Sequence, residues 1–458
     1  MFFFEKFPFS FPSHDQNKNG KECSPPHENN QKTAACLHLS LEGPPDALVT
    51  IGNRHYHYFA GHAYLGLQAH PSVLAATCEA TLRYGTGTGT TRFALTAPPV
   101  FDVERRAAQS LKAERAFYYV SGYLGPQILL ETLDRSFDRL FVDEASDKGI
   151  HHAVKTWNGK TNPVCFRHND PDSLRLELHK HLKASEKPLV MTNGVFSASG
   201  NIAPLDRYAR ILAETEGSSL LVDDSHAIGV IGQNGRGTYE HFGVAPNRIN
   251  QTAQDLQNDL FTNGSPSMSP SMPFDFYHNF DDSWQQIENG IKNEEFMNDL
   301  PVRYYHSAAL TKAIGGSGGI IAGSDRFIDQ LIERSHAYGN ISSPPSPLAA
   351  GTAEAIALTF ENTELRQKLR DNTRYFKEKI LRLGLPVNGS DVPIVSLSQG
   401  SAANMRRIQR KLSEQGILIA YLPRNHGLPA DGLLRISIFA THTREMLDQL
   451  TEQLEKLL

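Results

Sequence analysis

Between about residue 71 and the proline cluster that begins at Pro344, short apolar runs alternate with stretches of helical periodicity. The runs include "AFYYVSG", "RLFVDEAS", "PLVMTNGVF" and "SLLVDDSH". Each leads into Gly, Ser, Asp or Asn and is followed by a helix-like segment or a turn. Such runs suit strands buried on both faces, and their repeated pairing with helices predicts an α/β fold with a mostly parallel sheet. Ligands in such sheets sit beyond the carboxyl ends of the strands, where Asp223, Ser121 and Ser197 fall.

After "SSPPSP" (Ser342 to Pro347) the pattern changes. One helical stretch is expected over Leu348 to Leu383, then "VPIVSLS", a helix near Asn404 to Gln415, "GILIAYL", "LLRISIF" and a last helix. That helix spaces Leu447, Leu450, Leu454 and Leu457 three and four apart, giving one apolar face. The expected organisation is a disordered or arm-like start over 1–46, an N-terminal segment over 47–75, a large domain over 76–345 and a smaller C-terminal α/β domain over 346–458. Residues 243–300 break the rhythm. They are polar and rich in Asn, Gln, Ser and Pro, and read as an insertion within the large domain.

Composition narrows the class. The 40% hydrophobic and 21% charged content fit a globular protein with a sizeable core. A net charge of −5 gives no reason to expect a nucleic-acid partner. No apolar run reaches the length of a membrane span. The aromatic start "MFFFEKFPFSFPSH" lacks a basic n-region and a small-residue cleavage site. Cys23, Cys36, Cys78 and Cys165 are too few and too scattered for a disulfide framework or a CxxC metal site, so a reducing compartment, the cytoplasm, is expected.

Two stretches carry candidate chemistry. "LVDDSHAIGVIGQNGRG" (Leu221 to Gly237) places two carboxylates and a histidine between an apolar run and a glycine-rich turn. "SAALTKAIGGSGGIIAGS" (Ser307 to Ser324) sets Lys312 before Gly315, Gly316, Gly318 and Gly319. Glycines crowd positions where backbone approaches a ligand closely, and a lysine there can form a Schiff base with a carbonyl. Pyridoxal 5′-phosphate (PLP) is such a partner. It requires an acid for its pyridine nitrogen and amides at a helix start for its phosphate. Asp223 is the candidate for the nitrogen and His226 for the phenolic oxygen. "SGYLGPQ" follows a strand and opens a helix, so Ser121, Gly122 and Tyr123 are candidates for the phosphate.

With these residues in place, the chain resembles the α-oxoamine synthases, a family of fold type I PLP-dependent transferases. It includes 8-amino-7-oxononanoate synthase, 2-amino-3-ketobutyrate CoA ligase, 5-aminolevulinate synthase and serine palmitoyltransferase. The matching motifs run in order: "YLGL", "GTGTTR", "SGY", "RHND", "TNGVFSASGNIAPL", "VDDSHAIGVIGQNGRG", "LTKAIGGSGG" and "LLRISIFATHT". The resemblance implies condensation of an amino acid with an acyl thioester, on CoA or a carrier protein, with loss of CO2 to give an α-aminoketone. It implies Lys312 as the lysine that holds the cofactor and as the base. Asp223 and His226 would serve the ring, Ser197 would lie near it, and Arg435 would bind the substrate carboxylate. It also implies a homodimer with shared sites, in which "SSPPSP" reaches toward the partner's phosphate site.

Several positions depart from the family pattern. Asp147 stands where a histidine usually stacks on the ring; it is either a relic or a new specificity element, and His151 or His152 is the candidate to replace that histidine. Ala309 replaces a phosphate-binding threonine, with Thr311 as the possible substitute. Asn193 replaces an acid, and His62 replaces an asparagine before "YLGL". Alternatives stay open at three sites: a structural ion pair for Arg435, a turn-stabilising role for Arg92 against a substrate-facing one, and aromatic packing for His62. At the level of function the alternatives are another PLP reaction on the same scaffold, such as transamination or decarboxylation, and a weakly active PLP-binding paralogue.

Overall fold

The apolar runs become strands of one sheet. The computed structural model describes residues 40–157, 161–252, 254–255, 296–339, 341–424 and 428–458. Seven strands lie in the order β3 (Arg115–Tyr119), β9 (Gly319–Gly323), β8 (Arg303–Ala309), β7 (Ser219–Asp223), β6 (Pro188–Asn193), β4 (Arg139–Asp143), β5 (Val164–Phe166). Only β9 runs antiparallel to its neighbours.

Alternate residues of each strand serve opposite faces. Leu140, Leu189, Leu221 and Tyr305 join a core with helices α3 (Gly125–Leu133) and α4 (Lys148–Thr156). Their neighbours Phe141, Val190, Leu220 and Tyr304 join a second core with α5 (Pro171–His181) and α6 (Leu205–Leu212). Burial on both faces is why these strands read as unbroken apolar runs.

The C-terminal part has its own antiparallel sheet, β10 (Ile394–Leu397), β13 (Leu433–Ser437) and β12 (Ala420–Leu422). Its core takes Leu447, Leu450 and Leu454 from the last helix, as their spacing predicts, while Leu457 is only partly buried. The single helix expected over Leu348 to Leu383 is two helices, Ser346–Glu361 and Thr363–Arg382. Asn362 is extended between them, and its side chain accepts the amide of Glu364 at 3.0 Å, capping the second. The first helix packs on the large-sheet side, with Ala349, Ala353 and Ile356 against Val100 and Ile320.

The first described strands are sewn to the C-terminal part. β1 (Leu48–Ile51) pairs with β2 (Arg54–Tyr58), and β2 pairs in parallel with β11 (Ile417–Leu418). Phe59, just after β2, lies in the C-terminal core. Residues 1–39 of the segment expected to be disordered or arm-like, and most of the insertion, lie outside the described residues; in the rest of that segment Leu41 bridges to Ile51. The insertion's base is anchored by Asn250, whose Nδ2 donates to the carbonyls of His306 (2.9 Å) and Ala322 (2.7 Å).

Candidate active site

Asp223 ends β7, at the carboxyl edge of the sheet, and the two adjacent carboxylates do different work. Asp224 is fully buried and accepts the amide of Thr238 at 2.7 Å and the Thr238 hydroxyl, latching the glycine-rich turn. Gly237 is required there, because its φ is +98° and a Cβ would collide with the Asp224 carboxylate. Asp223 accepts the Ser225 amide (2.9 Å) and hydroxyl on Oδ1 alone. Oδ2 has no partner among the described residues. Burial pushes this carboxyl up to about 6, against the pull of the two Ser225 bonds.

A cavity of about 1040 Å³ opens beyond the strand ends, and His62, Tyr123, Asp147, Ser197, His226 and Lys312 all line it. Lys312, in the turn after β8, makes no ion pair with a described residue. Burial lowers its proton affinity; the charges of Asp147 and Asp223 oppose this, and that of Arg435 adds to it. His226 is buried, and its Nδ1 lies 2.9 Å from the Tyr64 hydroxyl. Burial holds its proton affinity well below the usual histidine range. His62 meets the His226 ring edge-on, with centroids 5.2 Å apart, and burial pulls it down to about 2.

Asp147 is fixed at the mouth of α4. Its carboxylate accepts the Ser197 hydroxyl at 2.8 Å and Nδ2 of Asn193 at 3.2 Å. Burial raises its carboxyl, with Ser197, Lys312 and Arg435 pulling the other way. His151, one turn on, acts on Asp147 through its charge, whereas His152 packs beside the Tyr123 ring at 5.6 Å.

Arg435 lies mid-strand in β13, buried and not among the residues that line the cavity. It donates only long bonds, to the Ala60 and Gly61 carbonyls (3.4 and 3.5 Å) and to the Tyr64 oxygen (3.3 Å). Its Nε has no partner among the described residues. A guanidinium this weakly held is suited to bind a carboxylate.

The phosphate candidates follow β3. Gly122 packs so tightly on Ala309 that a Cβ at 122 would overlap the alanine methyl, and the turn runs into α3. The first amides of a helix lack intrahelical partners. Ser121 and Thr311 are exposed and do not line the cavity. Arg92 lies apart from the site. It is buried, donates to the Tyr118 carbonyl and Glu104 carboxylate at 2.7 Å each, and stacks over Phe117 and Tyr338. This geometry matches the turn-stabilising alternative. Tyr64 escaped the reading of the sequence although "YLGL" contains it, because a tyrosine in an apolar stretch looks like core.

Lys312, the free edge of Asp223 and the neutral His226 form a set that fits PLP: an amine for its aldehyde, an acid for its nitrogen and a donor for its oxygen. Of the phosphate candidates, Tyr123 lines the cavity, while Ser121, Gly122 and Thr311 do not. Asp147, which lines the same cavity, brings a carboxylate to the position where the resemblance implies an aromatic group.

A family model, aminotransferase class I and II, matches residues 59–253 and 297–454. The chain belongs to this family. It stands among the PLP-dependent α-oxoamine synthases. It is 30% identical over 390 residues to 8-amino-7-oxononanoate synthase 1 of Bacillus velezensis, covering 85% of each chain. It is 27% identical over 418 residues to 8-amino-7-oxononanoate synthase of Alkaliphilus metalliredigens, covering 91% of each. The fold is similar to serine palmitoyltransferase from S. paucimobilis with a bound PLP–myriocin aldimine (TM-score 0.72, 20% identity, 92% of each chain). It is also similar to Sphingomonas wittichii serine palmitoyltransferase (TM-score 0.72, 22% identity, 90% of this chain and 89% of that one). The matched ranges leave out 254–296, inside the stretch read as an insertion.

Proposed function

We propose that the protein is a PLP-dependent C-acyltransferase that joins an amino acid to the acyl group of a thioester, releasing CO2 and free thiol and yielding an α-aminoketone. The observation that carries this reading is that Lys312 and His226 line one cavity and that Asp223 is close enough for its charge to act on Lys312. When bound, PLP supplies an electron sink for the carbon beside the substrate's amino group. Lys312, with its lowered proton affinity, holds the cofactor and moves the proton of that carbon. Asp223, held ionised by the positive ring beside it, keeps a proton on the pyridine nitrogen. Neutral His226 donates to the ring oxygen, and Arg435 orients the substrate carboxylate. Leu397, Leu422, Leu428 and Leu433 give the cavity an apolar flank suited to an acyl chain.

The test is to incubate purified protein with single amino acids and acyl-CoAs and to measure free thiol and CO2. An absorbance band from PLP held on Lys312 is expected, and its loss in Lys312→Ala. Amino-group exchange without thiol release would point to transamination instead. Absence of PLP uptake by the wild-type protein would remove the enzymatic reading.

We place the enzyme in the cytoplasm as a homodimer. Cys78 and Cys165 are free thiols, and no helix among the described residues is long and apolar enough to cross a membrane. Leu82, Phe93 and Leu95 are 87%, 75% and 73% exposed, a large apolar area to leave in water. Leu95 shares a cleft with Thr88 and Thr90 of "GTGTTR" and with Pro344 of "SSPPSP". Sedimentation of a monomer at micromolar concentration would refute the dimer.

A further inference from the structure

We propose that Tyr64 is a positioning residue: it fixes which ring nitrogen of His226 carries the proton. The Tyr64 oxygen lies 2.9 Å from Nδ1 of His226 and accepts a bond from Nη2 of Arg435 at 3.3 Å. A guanidinium only donates, so the single phenolic proton is free to be given elsewhere. Nδ1 of His226 is the one acceptor within reach among the described residues. Were Nδ1 instead protonated and donating to Tyr64, the phenolic O–H would be left without an acceptor. Tyr64 is fully buried, and an orphaned buried hydroxyl is costly because it has lost its water partners. The arrangement that satisfies every group therefore runs Arg435 to Tyr64 to Nδ1.

A neutral imidazole that accepts at Nδ1 carries its proton on Nε2. His226 is kept neutral by burial, with His62, Arg435 and Lys312 adding to the effect. The ring lines the cavity, and Nε2 has no partner among the described residues. Tyr64 thus leaves His226 a hydrogen-bond donor toward the cavity. It also joins that donor through one oxygen to Arg435. The inference rests on the proposed function only in taking the cofactor's phenolic oxygen as the recipient.

The test is nitrogen NMR of the full-length protein labelled with ¹⁵N-histidine, recorded without PLP and with it, the His226 signals being assigned with His226→Gln. The wild-type protein is expected to show the proton on Nε2. Tyr64→Phe, if folded by circular dichroism, is expected to show both tautomers. With PLP bound, the pH at which its absorbance titrates is expected to move in Tyr64→Phe, and the KM for the amino acid to rise while that for the acyl thioester holds. A wild-type spectrum with the proton on Nδ1, or a cationic His226, overturns the inference whether or not the variant folds. An unchanged tautomer in folded Tyr64→Phe overturns the role of the phenol. Failure to take up PLP bears on the proposed function alone, since the apoprotein spectrum still decides the tautomer.

Discussion

Asp147 and Asn193 hold each other twice: the Asp147 amide donates to Oδ1 of Asn193 at 2.7 Å, and Nδ2 of Asn193 donates back to the Asp147 carboxylate at 3.2 Å. The pairing needs an uncharged, two-sided partner at 193. The two positions thus act as one feature: an acid at 193 would repel the Asp147 carboxylate.

Asn193→Asp sets two carboxylates against each other and is expected to destabilise the protein by about 1–3 kcal/mol at pH 8. Like charges raise the proton affinity of such a pair, so the folded state gains a proton as pH falls. The penalty is therefore smaller at pH 5 than at pH 8. Urea denaturation at both values checks this; an equal loss at both would count against it.

Asp147→His restores an aromatic group at the ring face. A changed spectrum of bound PLP and changed turnover are expected. If both match the wild type, Asp147 does not face the ring.

Asp223→Asn is expected to stabilise the apoprotein while weakening function. Burial lifts the Asp223 carboxyl from 3.8 to about 6, which corresponds to about 3 kcal/mol of disfavoured ionisation. Because the folded form binds the proton more tightly, this group favours folding fully below pH 3.8, and that favour is lost as pH rises through about 6. The variant, neutral throughout, should gain more stability over the wild type at pH 7.5 than at pH 5, where roughly half of the difference has already gone. Denaturation midpoints at the two values test the sign.

Arg435→Lys replaces a planar fork with a point charge. The KM for the amino acid is expected to rise about 10-fold or more, corresponding to about 1.4 kcal/mol, with the KM for the acyl thioester unchanged. A parallel rise in both would mean that Arg435 supports the fold of β13 and not the substrate.

The strand–helix rhythm and the strand-end position of Asp223 were legible because burial on both faces and turn chemistry are local properties. The break at Asn362 was not, since Thr363–Arg382 continues a helical pattern and only the cap distinguishes two helices from one. Lys312 and His226 could be paired in advance through the chemistry of a cofactor. Tyr64 could not, because its role depends on Arg435 and His226, which come from distant elements. Arg92 shows the converse: a motif residue whose partner, Glu104, lies on the next helix and engages its guanidinium away from the cavity.

The parallel pairing of β2 with β11 bears on how the protein is made. His62 and Tyr64 stand directly after β2, and the strand that pairs with it, at Ile417 and Leu418, is far away along the chain. Pairing between such distant segments is slow to form. The wall of the cavity that carries His62 and Tyr64 therefore closes late in folding, and PLP should be retained only once β2 and β11 have paired.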